Sequence, residues 1–130
     1  MDKKLAQVAA KWWADHLRNG ATLDNGDRSE IGFKTHMLAT ILQAKERDGL
    51  DNIKIDSFEV ELAKIIEGED EGWFSMGVDY HPGTFLQNAA DNVDLHLGMA
   101  TLPWKTMMWI RNGEITVAEG YQSSPQQIYP

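Results

Sequence analysis

The chain has 130 residues, no cysteine and a formal net charge of −8. The lack of cysteine excludes thiol nucleophiles, thiolate metal sites and disulfide bonds, and the length predicts one domain over residues 1–130. The surplus negative charge repels phosphate backbones and anionic lipid, which disfavours direct binding to nucleic acid or to a membrane. This charge either serves solubility alone or forms an acidic face that docks on a basic protein surface.

The first predicted helix covers residues 3–18, where apolar residues recur at helical spacing. It contains two adjacent tryptophans, Trp12 and Trp13. Neighbouring residues of a helix point about 100° apart, so both rings cannot occupy the centre of one narrow stripe. We therefore expect one tryptophan in the core and the other at its margin.

Two further helices are predicted in the N-terminal half. The second starts near Ser29 or Glu30 and carries an apolar face opposite a polar one. The third runs over residues 57–67, with Asp56 as its N-cap and a glutamate three residues later, as in a capping box. The apolar face of the second helix consists of Phe33, Met37, Leu38, Ile41 and Leu42.

The apolar period changes from helical to two at Gly72. Strict alternation over residues 72–80 predicts a strand, and a short helix starts at Pro82 or Gly83. Residues 94–103 have no regular pattern. The link between this strand and the next one contains a helix and is long enough for a crossover, so the two strands can be parallel.

Residues 103–121 predict a β-hairpin. Asn112-Gly113 separates two runs rich in β-branched, aromatic and methionine residues, and Asn-Gly supplies the left-handed residues of a type I′ turn. The polar residues 122–130 are predicted to be a surface tail. The sequence thus predicts an α+β fold, in which three N-terminal helices and one short helix pack on a small three-stranded, mostly antiparallel sheet that ends in the hairpin. This is the smallest layout that buries every apolar stripe, including that of the second helix.

The pattern Asp-x-His occurs twice, as Asp79-Tyr80-His81 and as Asp94-Leu95-His96. Residues two apart in a strand share a face, so each pair can present a carboxylate and an imidazole together. Two converging pairs would suit a hydrolytic metal site. Turn chemistry and surface placement are the simpler interpretation, and we predict a contact role for Asp79 and His81 with no metal and no cofactor.

Asp24-Asn25-Gly26-Asp27 begins like a calcium loop, with oxygen ligands around a glycine. An EF-hand loop needs glycine at position 6 and glutamate at position 12, and the chain has Ser29 and Thr35 there. An Asx-type turn leading into the second helix is the better interpretation. The alternative is a polar contact with a partner, for which Asp24, Asn25 and Asp27 are the candidates.

Five tryptophans in a chain of this length are many, and aromatic side chains dominate interfaces and stack on nucleobases. Most are expected in the core. Trp104, between Pro103 and Lys105, is expected to be partly exposed. A tryptophan beside a lysine can stack on a base while the ammonium group meets a phosphate, so Trp104 and Lys105 are predicted to contact a ligand or partner.

The blocks K-W-W-A-D-H-L, L-D-N-G-D, V-D-Y-H-P and P-W-K-T-M-M-W-I resemble a group of small bacterial phage and prophage proteins. This resemblance implies an accessory protein that works in the bacterial cytoplasm, and it transfers no catalytic residue. A cytoplasmic location also fits the lack of an apolar leader and of a run of ~18 apolar residues.

Three functions follow, in order of preference. The first is binding without catalysis, in which an acidic, aromatic-bearing surface inhibits or modulates a host defence protein that has a basic surface. The second is binding of a nucleotide-like small molecule, favoured by the tryptophans and by Lys105 and Arg111. The third is a small hydrolase that uses Asp79 and His81. Motifs for phosphate-binding loops, dinucleotide sites and serine or zinc hydrolases are missing from the chain.

Overall fold

A computed structural model describes residues 1–21, 23, 26–69 and 73–130. Within these residues the chain forms four helices and a four-stranded antiparallel sheet, which is an α+β fold. The helices are α1 (Lys3–Asn19), α2 (Glu30–Asp48), α3 (Asn52–Glu67) and α4 (Thr84–Asn92). The strands are β1 (Trp73–Val78), β2 (Thr106–Arg111), β3 (Glu114–Ala118) and β4 (Gln126–Tyr129).

The strands lie in the order β1-β2-β3-β4. The predicted hairpin is confirmed, since Asn112 and Gly113 have φ angles of 52° and 81° between β2 and β3. The prediction that β1 and β2 can be parallel is wrong. The segment that joins them begins and ends at the same end of the sheet, where the Lys105 amide donates to the Asp79 carbonyl at 2.9 Å.

The strand β4 was not predicted, because residues 122–130 were expected to form only a surface tail. Thr116 pairs with Gln127, and Val117 pairs with Gln126, along the edge of the sheet. Two of the four residues of β4 are glutamines that stay exposed, so the sequence shows no alternation of apolar and polar residues. Backbone pairing with β3, rather than side-chain pattern, makes this segment a strand.

The core lies between one face of the sheet and the helices α1, α3 and α4. On α1, Trp13 is fully buried while Trp12 lies at the margin of the core, as predicted, and their rings meet edge to face at 4.9 Å. Alanines at four buried positions of α1 allow α3 to pack closely against it. These alanines are Ala6, Ala9, Ala10 and Ala14.

The start of α3 differs from the prediction. The helix begins at Asn52, and its N-cap is Asp51, whose carboxylate accepts from the Ile53 amide at 2.9 Å. Asp56 instead lies inside the helix and accepts a hydrogen bond from Arg18 at 2.8 Å. Residues 56–59 match the sequence of a capping box, but an equally good cap stands five residues earlier.

The start of α2 agrees with the prediction. Ser29 is its N-cap and accepts from the Gly32 amide at 3.2 Å. The prediction that every apolar stripe is buried is wrong for this helix, whose buried residues are Gly32 and Ala39. The orientation of α2 therefore requires a separate explanation.

Candidate functional site

Four polar side chains of α2 are directed toward the body of the protein, where they hydrogen-bond to backbone groups at the end of α1 and in the connecting segments. The bonds join His36 Nδ1 to the Leu23 carbonyl (2.6 Å), Gln43 Nε2 to the Ala21 carbonyl (2.8 Å), Arg47 Nη2 to the Arg18 carbonyl (2.7 Å) and the Ala100 amide to Glu46 Oε2 (3.1 Å). These bonds satisfy backbone groups that would otherwise need water, and they fix which side of α2 faces inward.

The large apolar side chains of α2 point the other way. At 100° per residue their positions span an arc of about 160° on the side opposite the hydrogen bonds. They are Ile31, Phe33, Met37, Leu38 and Ile41, with exposed fractions of 74 %, 63 %, 48 %, 67 % and 65 %. We call these five residues the apolar outer face. Single exposed apolar residues are common, whereas large contiguous apolar patches are typical of interaction surfaces.

The charges of α2 do not make it acidic. Its acidic residues are Glu30, Glu46 and Asp48, and its basic residues are Lys34, Lys45 and Arg47, so three negative and three positive charges cancel. Glu30 and Lys34 form an exposed ion pair at 3.2 Å, and at 100° per residue both lie within the same arc as the five apolar side chains. The net charge of −8 therefore resides on the rest of the chain. The exposed apolar side chains thus lie on α2, whereas the surplus negative charge lies on the rest of the chain.

The structure brings three of the sequence-predicted residues together at one end of the sheet. Asp79, His81 and Lys105 line an open cleft of about 710 Å³ beside the N-terminus of α4. The Asp79 carboxylate pairs with Lys105 Nζ, which lies 4.5 Å from the centre of the Tyr80 ring. The hydrogen bond that Lys105 donates to Asp79 raises the pKa of Lys105. This cluster joins the end of β1 to the start of β2.

The same geometry gives little support to hydrolysis. The strand β1 ends at Val78, so Asp79 and His81 lie in a bend and not on one face of a strand. The Asp79 carboxylate is engaged by Lys105. Asp94 and His96 line a different cavity, of about 460 Å³, so the two Asp-x-His pairs do not line a common site. Among the residues described, no group of three histidine, aspartate or glutamate side chains is placed to hold a metal ion.

The expectation that Trp104 is partly exposed is wrong. Its side chain is 3 % exposed, its indole Nε1 donates to the Met99 carbonyl at 2.7 Å, and its ring meets Tyr80 edge to face. A buried ring whose N–H is already bonded cannot stack on a base. Lys105, the next residue, has a φ of 54° and turns its side chain away to Asp79.

Asp27 lies two residues before Ser29, the N-cap of α2. Its carboxylate accepts from the Ser29 amide at 2.8 Å, which is the Asx-type turn that the sequence predicts. Its hydrogen bonds with Ser29 lower the pKa of Asp27. The other two predicted contact residues of this loop, Asp24 and Asn25, lie outside the described residues.

The sequence pattern does not predict the apolar outer face as a surface. The pattern shows the two faces of α2, but the expectation that every apolar stripe is buried places the apolar one in the core. One signal was present in the polar face, because Gly32 and Ala39 stand there among residues that can bond to backbone carbonyls. Small residues allow close approach to neighbouring backbone, which is a property of an inward face.

Comparison of the chain with protein-family models and with curated proteins finds no match. In the part of the chain that the structure covers, no helix has the length and apolar character needed to cross a lipid bilayer.

Proposed function

We propose that the protein is a phage-type accessory protein that binds a host protein and inhibits or modulates it, using the apolar outer face of α2 as its contact surface. The exposure of that face carries the proposal. A helix that directs four hydrogen-bonding side chains inward and five large apolar side chains outward is explained if another protein covers the apolar ones. The bacterial-host setting comes from the sequence resemblance.

The size of the apolar outer face limits what it can contribute to binding. Fully burying one large apolar side chain stabilises a complex by about 1.5–3 kcal/mol, so five partly exposed ones supply on the order of 5–10 kcal/mol. Association itself costs about 4–15 kcal/mol in lost rigid-body freedom. The gain from burying this face is thus similar to the cost of association, and a stable complex needs further contacts.

The acidic remainder of the surface supplies such contacts when the partner is basic. Opposite charge on the two proteins accelerates their encounter and favours one partner over others, while the apolar contact slows dissociation. This division fits the charge distribution, because α2 is neutral and the surplus negative charge lies elsewhere. The expected partner is a host protein with an apolar groove for a helix and a basic surface around it.

The test is affinity capture from bacterial lysate with two matched variants. Met37 on the outer face is 48 % exposed and Met107 on the sheet is 39 % exposed. We expect Met37→Lys to abolish capture of the partner and Met107→Lys to leave it unchanged, because only the first places a charge inside an apolar contact. Equal capture by both variants would contradict the proposal, provided that both unfold as cooperatively as the wild type.

The salt dependence of binding distinguishes the charged part of the proposed interface from its apolar part. Raising the ionic strength from 0.05 M to about 0.5 M screens charges on the two surfaces. The association rate with the captured partner should fall steeply, and the dissociation rate should change little. A dissociation rate that responds to salt as strongly as the association rate would show that the contact is mainly ionic and not centred on α2.

A further inference from the structure

One face of the sheet points away from the helices. In each of the first three strands alternate residues are buried, such as Phe74, Met108 and Ile115. The intervening residues therefore occupy the opposite, open face. The open face carries Trp73, Ser75 and Gly77 from β1, Met107, Trp109 and Arg111 from β2, and Glu114, Thr116 and Ala118 from β3.

The strand register places two tryptophans beside each other on this face. Trp73 pairs with Arg111, and Ser75 pairs with Trp109, so the two indoles are diagonal neighbours. Diagonal neighbours have Cα atoms about 7–8 Å apart, within reach of aromatic side chains. Trp73 is 62 % exposed and Trp109 is half-buried. Within the described residues, no ring contact joins one indole to the other.

Small neighbours leave the Trp109 ring accessible. Its partners on the adjacent strands are Ser75 and Thr116, which are too short to cover an indole. Both tryptophans line one open concavity of about 520 Å³ together with Arg111, Asn112, Glu114, Thr116 and Pro125. This volume lies within the roughly 300–1,000 Å³ of small-molecule sites.

Arg111 supplies a positive charge at this concavity. It is exposed, and its side chain forms no hydrogen bond or ion pair with any described residue. The side chains of Arg18 and Arg47, in contrast, bond to carboxylates and to a carbonyl, respectively. Glu114 is the strand partner of Arg111 across the hairpin, but the two side chains form no ion pair. A planar guanidinium group binds carboxylate or phosphate through two parallel hydrogen bonds.

We propose that this open face binds a planar aromatic anion, which stacks on Trp73 and Trp109 and places its anionic group on Arg111. The site is separate from α2 and does not depend on the function proposed above. The ligand is a small molecule and not a nucleic acid chain, because the net charge of −8 opposes a run of phosphates. Glu114 directs the anionic group to the Trp73 side of Arg111.

The test is calorimetric titration of the full chain with four probes. Adenosine monophosphate has both the ring and the anion, adenosine lacks the anion, and ribose 5-phosphate lacks the ring. The fourth probe, 1-naphthoate, is an aromatic carboxylate. We expect adenosine monophosphate or 1-naphthoate to bind, adenosine to bind at least tenfold more weakly than its monophosphate, and ribose 5-phosphate not to bind. Which of the two anions binds identifies phosphate or carboxylate as the natural group.

Four variants of the site and one control variant test whether the ligand binds at the proposed residues. Trp73→Ala should weaken binding of the aromatic anion at least tenfold, and Trp73→Phe should restore most of it. Arg111→Gln should reduce the affinity for adenosine monophosphate to that for adenosine, whereas Lys34→Gln, with the same change in net charge, should have no effect. Glu114→Gln should strengthen binding. The proposal is overturned if neither anion binds, or if binding survives Trp73→Ala and Arg111→Gln unchanged.

Discussion

The side chain of Gln43 donates to the carbonyl of Ala21 at 2.8 Å, and this bond turns a polar side chain of α2 toward the body of the protein. Ile41, two residues earlier on the same helix, is 65 % exposed. The two side chains point about 200° apart, so holding one inward directs the other to the solvent. The proposed function depends on this orientation.

Removing the anchor should loosen α2 in particular. Gln43→Ala leaves the Ala21 carbonyl without its partner, which costs about 1 kcal/mol, and amide hydrogen exchange along α2 should become faster. Gln87→Ala is the matched control, because the side chain of Gln87 donates to Asp91 on the surface of α4 and not to the backbone of another segment. Unchanged exchange in α2, or faster exchange spread evenly over the chain, would contradict the anchoring role.

A pair of isoleucines tests which side of the helices forms the core. Ile55 on α3 is 1 % exposed and Ile41 on α2 is 65 % exposed. Ile55→Ala should lower the free energy of unfolding by about 2–5 kcal/mol, since it removes a buried side chain and leaves a cavity. Ile41→Ala should change it by no more than about 0.5 kcal/mol. Urea unfolding of both variants measures the difference. Comparable losses would mean that the outer face is buried in solution.

The hairpin turn gives a second matched pair. Gly113 has a φ of 81° with nothing near the position of an added Cβ, so Gly113→Ala should destabilise by about 1–2 kcal/mol through backbone strain alone. Gly49 ends α2 at a φ of −85°, where a Cβ would meet its nearest neighbour at an ordinary 3.5 Å. Gly49→Ala should stabilise by about 0.4–1 kcal/mol. The thermal midpoint should fall for Gly113→Ala and rise for Gly49→Ala. A shift of the same sign in both variants would contradict the left-handed conformation of Gly113 in the hairpin turn.

Asp15 contributes to the dependence of stability on pH. Partial burial acts to raise its pKa, but hydrogen bonds from Lys11 (2.7 Å) and Arg18 (2.9 Å) outweigh burial and hold the pKa below its usual value. A carboxyl group with a depressed pKa stabilises the folded state above its unfolded pKa of about 3.9. That stabilisation is lost as the pH falls through the lower folded value.

The deficit of Asp15→Asn in unfolding free energy, relative to the wild type, should therefore be larger at pH 5 than at pH 3. Urea unfolding at the two pH values measures it. An Asp15→Asn deficit that is equal at pH 5 and pH 3 would show that Lys11 and Arg18 do not hold the Asp15 carboxylate in its charged form.

Local chemistry explains which parts of the fold were predictable. The type I′ turn needs two left-handed residues, and Asn112-Gly113 provides them whatever surrounds the hairpin. The start of α2 likewise depends on one side chain, that of Ser29. Trp12 and Trp13 divide between margin and core because neighbouring helical residues diverge by a fixed angle. Each of these features is determined within a few residues.

Contacts between distant segments explain what was missed. The orientation of α2 depends on carbonyls of Ala21 and Leu23 and on the Ala100 amide, whose positions the helix sequence does not reveal. The strand β4 depends on the free edge of β3. At the candidate sites, the composition indicated aromatic contact residues, but the register was needed to select Trp73 and Trp109 over the buried Trp104.

Footprinting of the outer face is the most direct test of the proposed function. Carbene labelling followed by mass spectrometry should modify Phe33, Leu38 and Ile41 heavily in the isolated protein. In the complex captured from bacterial lysate, labelling of these residues should fall at least fivefold, while labelling of the exposed Val60 on α3 should remain unchanged. Equal labelling of the outer face in the free protein and in the complex would show that the partner binds elsewhere and would contradict the proposal.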